Sequence, residues 1–254
     1  MNIVISGASM GLGAALALLY AREGVVLGLI GRDEERLDAV GKACWTKGAT
    51  VVTARLDVRD APLLGTWISR FDRTHPIDLL IANAGISRGA DAEGNSEGLT
   101  AFTQQIAVNL LGAANLIEPL LPEFMHRKSG HIALISSIAG LRGLPYSPGY
   151  CASKAGMRVY GEALRAYLRP HGVDVSVVCP GFFDTEMSRQ FRGQKFLMIP
   201  VERAAEIIKH GLDRRQSRIQ FPQLLGFGLR AADLLPARLG DALLRRFRFH
   251  IAHK

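Results

Sequence analysis

Tyr150 and Lys154 stand four residues apart in GYCASKAGMRVY (149–160), among neighbours that are nearly all small. On a helix that spacing puts both side chains on one face, with Cβ atoms about 5–6 Å apart. An unperturbed phenol titrates at about 10 and is a poor base at neutral pH. A cation one turn away favours the phenolate and brings its acidity toward a working value, so the pair could pass a proton to or from a bound oxygen. Taken alone, the pair reads more simply as a surface tyrosine beside a surface lysine. A second group of residues points to phosphate. In SGASMGLG (6–13), Gly7, Gly11 and Gly13 permit a tight turn and close backbone approach. Exposed N–H groups and the dipole of a following helix would then face a pyrophosphate.

Both groups need a frame to position them. Short apolar, β-branched runs at 2–6, 25–30, 50–56, 77–83, 131–136 and 173–179, with a shorter one at 218–221, alternate with longer stretches of helical spacing. Continuous apolar strands alternating with helices predict a single doubly wound α/β domain over residues 1–221: a central parallel sheet of about seven strands, helices on both faces. Ligands of such sheets bind at the carboxyl ends of the strands. The residues there are Gly7–Gly13, Gly31–Asp33, Asp57–Val58, Asn83–Gly85, Ser136–Ser137 and Pro180–Gly181.

The 254 residues are 48% apolar and 21% charged, an ordinary globular composition. Cys44, Cys151 and Cys179 are too few and too scattered for a disulfide framework or a zinc site, and the seven histidines show no ligand spacing, so no metal is expected. The N-terminus enters an apolar run with no leader pattern and no segment has the length of a spanning helix, so the expected location is cytoplasmic. A net charge of +8 raises the question of nucleic acid, but half of it lies in residues 222–254, without interleaved aromatics, and no nucleic acid is expected.

The motifs occur in the order of a known family. SGASMGLG, ANAG (82–85), Ser137 and YCASK (150–154) together resemble the short-chain dehydrogenases/reductases of the single-domain kind, with Ser6 for the usual Thr and Ala82 for the usual first Asn. The resemblance spans about residues 1–221. It implies a Rossmann-type fold and an NAD(P)(H)-dependent oxidoreductase that interconverts a secondary alcohol and a ketone or aldehyde, commonly as a homodimer or homotetramer. Tyr150 is then proton donor or acceptor, Lys154 sets its pKa and holds the nicotinamide ribose, Ser137 holds the substrate oxygen, and Asn109 completes a proton relay. The cofactor contacts so implied are Ser6, Gly7, Ser9, Met10, Gly11, Leu12 and Gly13, then Asp57 and Val58 at the adenine, and Asn83, Ala84 and Gly85. Tyr150, Lys154, Pro180, Gly181, Phe183 and Thr185 follow at the nicotinamide. A relative that only senses NADP is the alternative; such proteins usually lose one of the residues kept here.

In that family an acidic residue closing the second strand selects NAD. Gly31 stands there instead, followed by Arg32, which favours NADP(H) because a guanidinium binds a 2′-phosphate in a forked geometry. Asp33 next to it, or stacking of Arg32 on adenine, leaves NAD(H) open. Substrate would meet residues 141–147, Phe182, Phe183 and a lid over 184–199 with Met187 and Phe191. These are mostly apolar, which suits a lipid-like, steroid-like or acyl carbonyl compound. Arg142, Arg189 and Arg192 leave an anionic substrate open. Residues 222–254 form a basic C-terminal extension of two short amphipathic helices split at Pro236, with Leu239, Leu243, Leu244 and Phe247 on one stripe. Such an extension suits packing on the domain, an oligomer contact or peripheral contact with a membrane surface.

Overall fold

A computed structural model of the chain describes residues 1–90, 93, 95–193, 197–244 and 249–251. β1 (Asn2–Ser6), α1 (Gly11–Tyr20), β2 (Val26–Gly31), α2 (Glu34–Thr46), β3 (Thr50–Arg55), α3 (Ala61–Thr74) and β4 (Leu79–Ala82) form the first half. The second half runs through α4 (Gly98–Gln105), a π turn (Ile106–Leu111), α5 (Gly112–Ile117), α6 (Leu121–Arg127), β5 (His131–Ile135), α7 (Pro148–Leu168) and β6 (Asp174–Pro180). After it come the short α8 (Glu186–Arg189) and β7 (Phe191–Gly193), then α9 (Val201–Asp213) and β8 (Arg218–Phe221). The tail holds α10 (Gln223–Asp233), α11 (Ala237–Leu244) and β9 (Phe249–Ile251).

Seven strands pair in parallel in the order β3-β2-β1-β4-β5-β6-β8, as the alternating pattern predicts. Successive side chains of a strand point to opposite faces, and both faces here are covered. Ile3, Ile5, Leu79 and Ile81 pack on one side with Leu12, Leu16 and Ile208, whereas Val4, Leu80, Ile132 and Leu134 pack on the other with Leu64, Leu116 and Met157. That two-sided burial is why the strands read as unbroken apolar runs. The helices start where the sequence offers caps. Asp33 accepts from Arg36 N at the head of α2, and Asp60 accepts from Leu63 N at the head of α3, with Pro62 in its first turn.

The order reverses between β1 and β4, so the loops leaving these two strands diverge and open a crevice at their carboxyl ends. One pairing lies outside the sequence expectation: β7, in the region expected to form a lid, makes a two-stranded antiparallel sheet with β9 from the tail. The tail helices divide at Pro236 as predicted. Phe247, Arg245, Arg246, Arg248 and Lys254 lie outside the described residues, as do lid residues 194–196 and the side chains of Phe191, Arg192 and Leu243. No helix among the described residues is long and apolar enough to cross a membrane.

Candidate active site

The glycine loop lies where its geometry is needed. Gly7 and Gly11 have φ of +65° and +56°, the left-handed region that favours glycine. A Cβ on Gly13 would sit 2.2 Å from the Gly7 carbonyl oxygen, so only glycine lets α1 begin this close to β1. α1 has no side-chain cap at Met10, which leaves its first N–H groups free for an anion. Ser6, buried under the loop, accepts from the backbone N–H of Asn83 (3.0 Å) and Ala84 (3.1 Å). The Asn83 amide returns the contact, donating to the carbonyls of Ser6 (2.9 Å) and Gly7 (3.2 Å). The serine that replaces the usual threonine thus uses its hydroxyl to lock the loops after β1 and β4 together.

At the other end of the crevice, Ser137 ends the loop after β5 and accepts from Ala139 N (3.1 Å), capping a 3₁₀ turn over residues 138–140. That turn rests on α7: a Cβ on Gly140 would lie 2.7 Å from the Lys154 carbonyl, and the Ser136 hydroxyl donates to that same carbonyl at 2.7 Å. Ser136 is therefore a brace between β5 and α7, and Ser137 is left to face Tyr150. The Lys154 ammonium lies 5.8 Å from the Tyr150 ring centroid and donates to the Ile135 carbonyl at 2.8 Å. Gly85 makes the room for it, since a Cβ there would stand 3.4 Å from Lys154 Nζ and 3.3 Å from Asn109 Oδ1.

Burial dominates the electrostatics. It pushes the Tyr150 phenol up to about 12, against a hydrogen bond with Ser137 that draws it down. Burial also brings the Lys154 ammonium down to about 8. Lys154 is expected to lower the phenol's pKa together with the cofactor's oxidised ring; among the protein's own groups, desolvation outweighs a cation held beside the ring rather than against the oxygen.

Asn109 lies fully buried behind the crevice, inside the π turn. Its carbonyl accepts from Ile86 N (2.8 Å), and its amide donates to Ile86 O and to the Ser153 hydroxyl (both 2.9 Å). The wider turn lets one side chain bridge the loop after β4 and helix α7.

The resulting cleft, about 230 Å³, is lined by Gly7, Met10, Gly11, Leu12, Arg32, Asp57, Val58, Asn83, Ala84, Gly85, Ser137, Tyr150, Lys154, Pro180, Gly181, Phe183 and Thr185, all predicted from the sequence. Ser6, Ser9, Gly13 and Asn109 support it without lining it; Ser9 packs against Gly31, where a Cβ would approach it to 3.2 Å. Ile30, Leu56, Ile86, Val108, Ile135 and Glu186 line the cleft and were missed. Ile30 and Ile135 are the last apolar residues of β2 and β5, Leu56 directly follows β3, and nothing in their type separates them from core. Over the glycine loop, Thr185 Cγ2 lies 3.4 Å from where a Gly11 Cβ would be, and Glu186 pairs with Arg36 at 3.1 Å.

The residues fit a nicotinamide dinucleotide: a loop that excludes Cβ atoms for the pyrophosphate, a buried ammonium for ribose hydroxyls, and apolar walls for the rings. At the adenosine end Asp57 is held by Arg59 (2.6 Å) and lies 4.0 Å from Arg32, whose side chain is 64% exposed. Arg59 keeps the Asp57 carboxyl below its usual range.

Residues 1–195 match the short chain dehydrogenase family. An uncharacterized oxidoreductase of Myxococcus xanthus is 35% identical over 246 residues, 96% of each chain. The ketoacyl reductase HetN of a Nostoc species is 35% identical over 182 residues, which is 71% of this chain and 63% of that protein. A short-chain dehydrogenase from Sphingobium yanoikuyae, solved in complex with NADPH, superposes with a TM-score of 0.77 at 26% identity, over 97% of this chain and 93% of that one.

Proposed function

The chain belongs to the short-chain dehydrogenase family, and from that premise we propose that it is an NADP-preferring oxidoreductase interconverting a secondary alcohol and a ketone or aldehyde. The observation that carries this reading is the convergence of Ser137, Tyr150 and Lys154 at one end of a cleft whose other end is a glycine loop. The bound nicotinamide supplies or accepts a hydride at the substrate carbon. The chain does the rest. Ser137 donates to the substrate oxygen and holds it beside the phenol. Tyr150 gives that oxygen its proton in reduction and takes it back in oxidation. Lys154 holds the ribose hydroxyls and keeps a positive charge near the phenol, and Asn109 fixes the loop and helix on either side. A catalytically silent sensor would not need this set intact.

The preference for NADP rests on two local facts. Arg32 is exposed at the end of β2 and, among the described residues, its one ion-pair contact is Asp57 at 4.0 Å, which Arg59 already holds. Asp33, the carboxylate that could oppose a 2′-phosphate, caps α2 and pairs with Arg36 at 3.3 Å. For the substrate, Leu144, Tyr146, Phe182 and Met187 form an apolar cluster at the mouth, while Arg142 and Arg189 each bridge a carboxylate, Asp241 and Asp184 respectively, at 2.9 Å. That favours an acyl-like or other lipid-like carbonyl compound, in line with the name of the Nostoc relative.

Tyr150→Phe removes the transferable proton and little else. NADPH-dependent reduction across a panel of acyl and alicyclic ketones is expected to fall about 10²–10⁴-fold, with NADPH affinity nearly unchanged. Retained turnover would end the mechanism, and equal kcat/KM with NADH would end the cofactor preference.

A further inference from the structure

The tail after β8 packs one face on the domain and leaves the other bare. On α10, Leu225, Leu229 and Ala232 recur at helical spacing and turn inward. Leu229, with Leu244 of α11, joins Ile138, Leu141, Val177 and Cys179 in a separate small core, against which Leu144 and Leu225 lean. The opposite side of α10 is also apolar: Leu224 and Phe227 are 81% and 62% exposed, and Leu234 at its end is 89% exposed. Gly228 and Ala231 fall between them, so the stripe contains no charge. Leu239 on α11 is 60% exposed. α10 thus buries one apolar side and exposes a second apolar stripe, and among the described residues nothing covers that stripe.

We propose that this face docks on the surface of an anionic phospholipid bilayer. Residues 222–254 carry six basic side chains against two acidic ones, and the acidic Asp241 is turned onto Arg142. Arg230 borders the apolar stripe and Arg238 is exposed beside Leu239. Exposed leucines flanked by arginines are what an anionic interface binds, the apolar side chains entering the acyl boundary and the guanidinium groups meeting phosphates. A second copy of the chain fits less well, because a two-fold contact brings two like-charged tails together. Self-association also has another uncharged strip to use, Ala152, Val159, Ala163 and Ala166 along the exposed side of α7. The docking face is placed to matter: the same helices pack on the loop that bounds the substrate mouth, and β9 pairs with the lid strand β7.

Docking is independent of the catalytic reading and is measured without cofactor or substrate. The full chain is floated with vesicles of phosphatidylcholine containing about one third phosphatidylglycerol, and with phosphatidylcholine alone. It is expected to float with the anionic vesicles and at least about ten-fold less with neutral ones or at about 0.5 M salt. Leu224→Gln/Phe227→Gln/Leu234→Gln, which alters only exposed side chains, is expected to lose at least about ten-fold of that binding while keeping its thermal midpoint and NADPH affinity. Val159→Arg, on the α7 strip, is expected to bind vesicles as wild type does. Absence of wild-type flotation, or equal flotation of the triple variant, overturns the proposal. So does a triple variant whose particle mass in solution is halved, because the face then holds a second copy.

Discussion

Lys154 is required where it is least comfortable. Its ammonium is almost wholly buried, with one backbone carbonyl as its hydrogen-bond partner, and burial lowers its pKa to about 8 from an ordinary 10.5. A depressed lysine pKa means that the unfolded chain binds the proton more tightly than the folded one. The charge therefore costs stability at every pH below about 8, and the cost fades as pH rises from 8 toward 10.5. At neutral pH the shift corresponds to about 3 kcal/mol at most. Lys154→Met removes it and orphans the Ile135 carbonyl, which returns about 1 kcal/mol. The variant is thus expected to be inactive yet about 2 kcal/mol more stable at pH 7, an advantage that shrinks by pH 10. Urea titrations at the two pH values measure this. A less stable variant at pH 7 would mean that Lys154 is held by more than the structure gives it. Ser6 is the contrasting residue: equally buried, it meets two N–H groups and helps both stability and site at once.

The glycine loop and the π turn carry this economy to elements. Each gives up regular geometry so that two other elements can meet. Gly13→Ala puts a methyl group 2.2 Å from the Gly7 carbonyl, so α1 must withdraw from β1 and its free N–H groups no longer converge. The expected result is NADPH affinity lowered about 100-fold or more, with stability falling by a few kcal/mol. Calorimetric titration and thermal melts check it, and unchanged affinity would remove the loop from the cofactor reading. This loop was legible in the sequence because glycines at fixed spacing between an apolar run and a helix have few other uses. The strands were legible to within a residue or two, since burial on both faces erases their alternation and leaves unbroken apolar runs. The π turn was not: IAVNLL is an ordinary helical string, and Asn109 stood out only through the family resemblance. Nor were the Arg36–Glu186 pair, the Arg59 hold on Asp57 or the β7–β9 pairing legible. They depend on side-chain rotamers, or on contacts between segments tens of residues apart, that no local pattern encodes.

Seen whole, the molecule concentrates function and stability at opposite ends of one sheet. The carboxyl ends of the strands hold the cleft, the buried ammonium and a phenol pushed up to about 12. The amino ends hold closed polar networks. Arg127 grips Asp72 with two hydrogen bonds of 2.9 and 2.8 Å and donates to Ile77 O, while Asp72 also accepts from Ile77 N. Beside them, at the start of β5, His131 Nε2 meets the Ser176 hydroxyl at 2.8 Å, and that hydroxyl donates to Gln216 O at 2.6 Å. With that hydroxyl proton committed to Gln216 O, the donor to Ser176 is Nε2 of His131. Burial, with Arg215 nearby and only partly countered by Asp174, brings its pKa down to about 4 from 6.5. Above 6.5 the residue is neutral in both states and makes no pH-dependent difference. As pH falls from 6.5 to 4 the unfolded chain takes up a proton that the folded chain refuses, and stability drops by up to about 3 kcal/mol. Wild type and His131→Gln, compared by urea midpoint at pH 7.5 and pH 5, separate this effect from the acidic groups the two share. The variant starts less stable and is expected to lose distinctly less on acidification. Parallel losses would place the acid sensitivity elsewhere, as in Asp57, whose carboxyl Arg59 holds below its usual range.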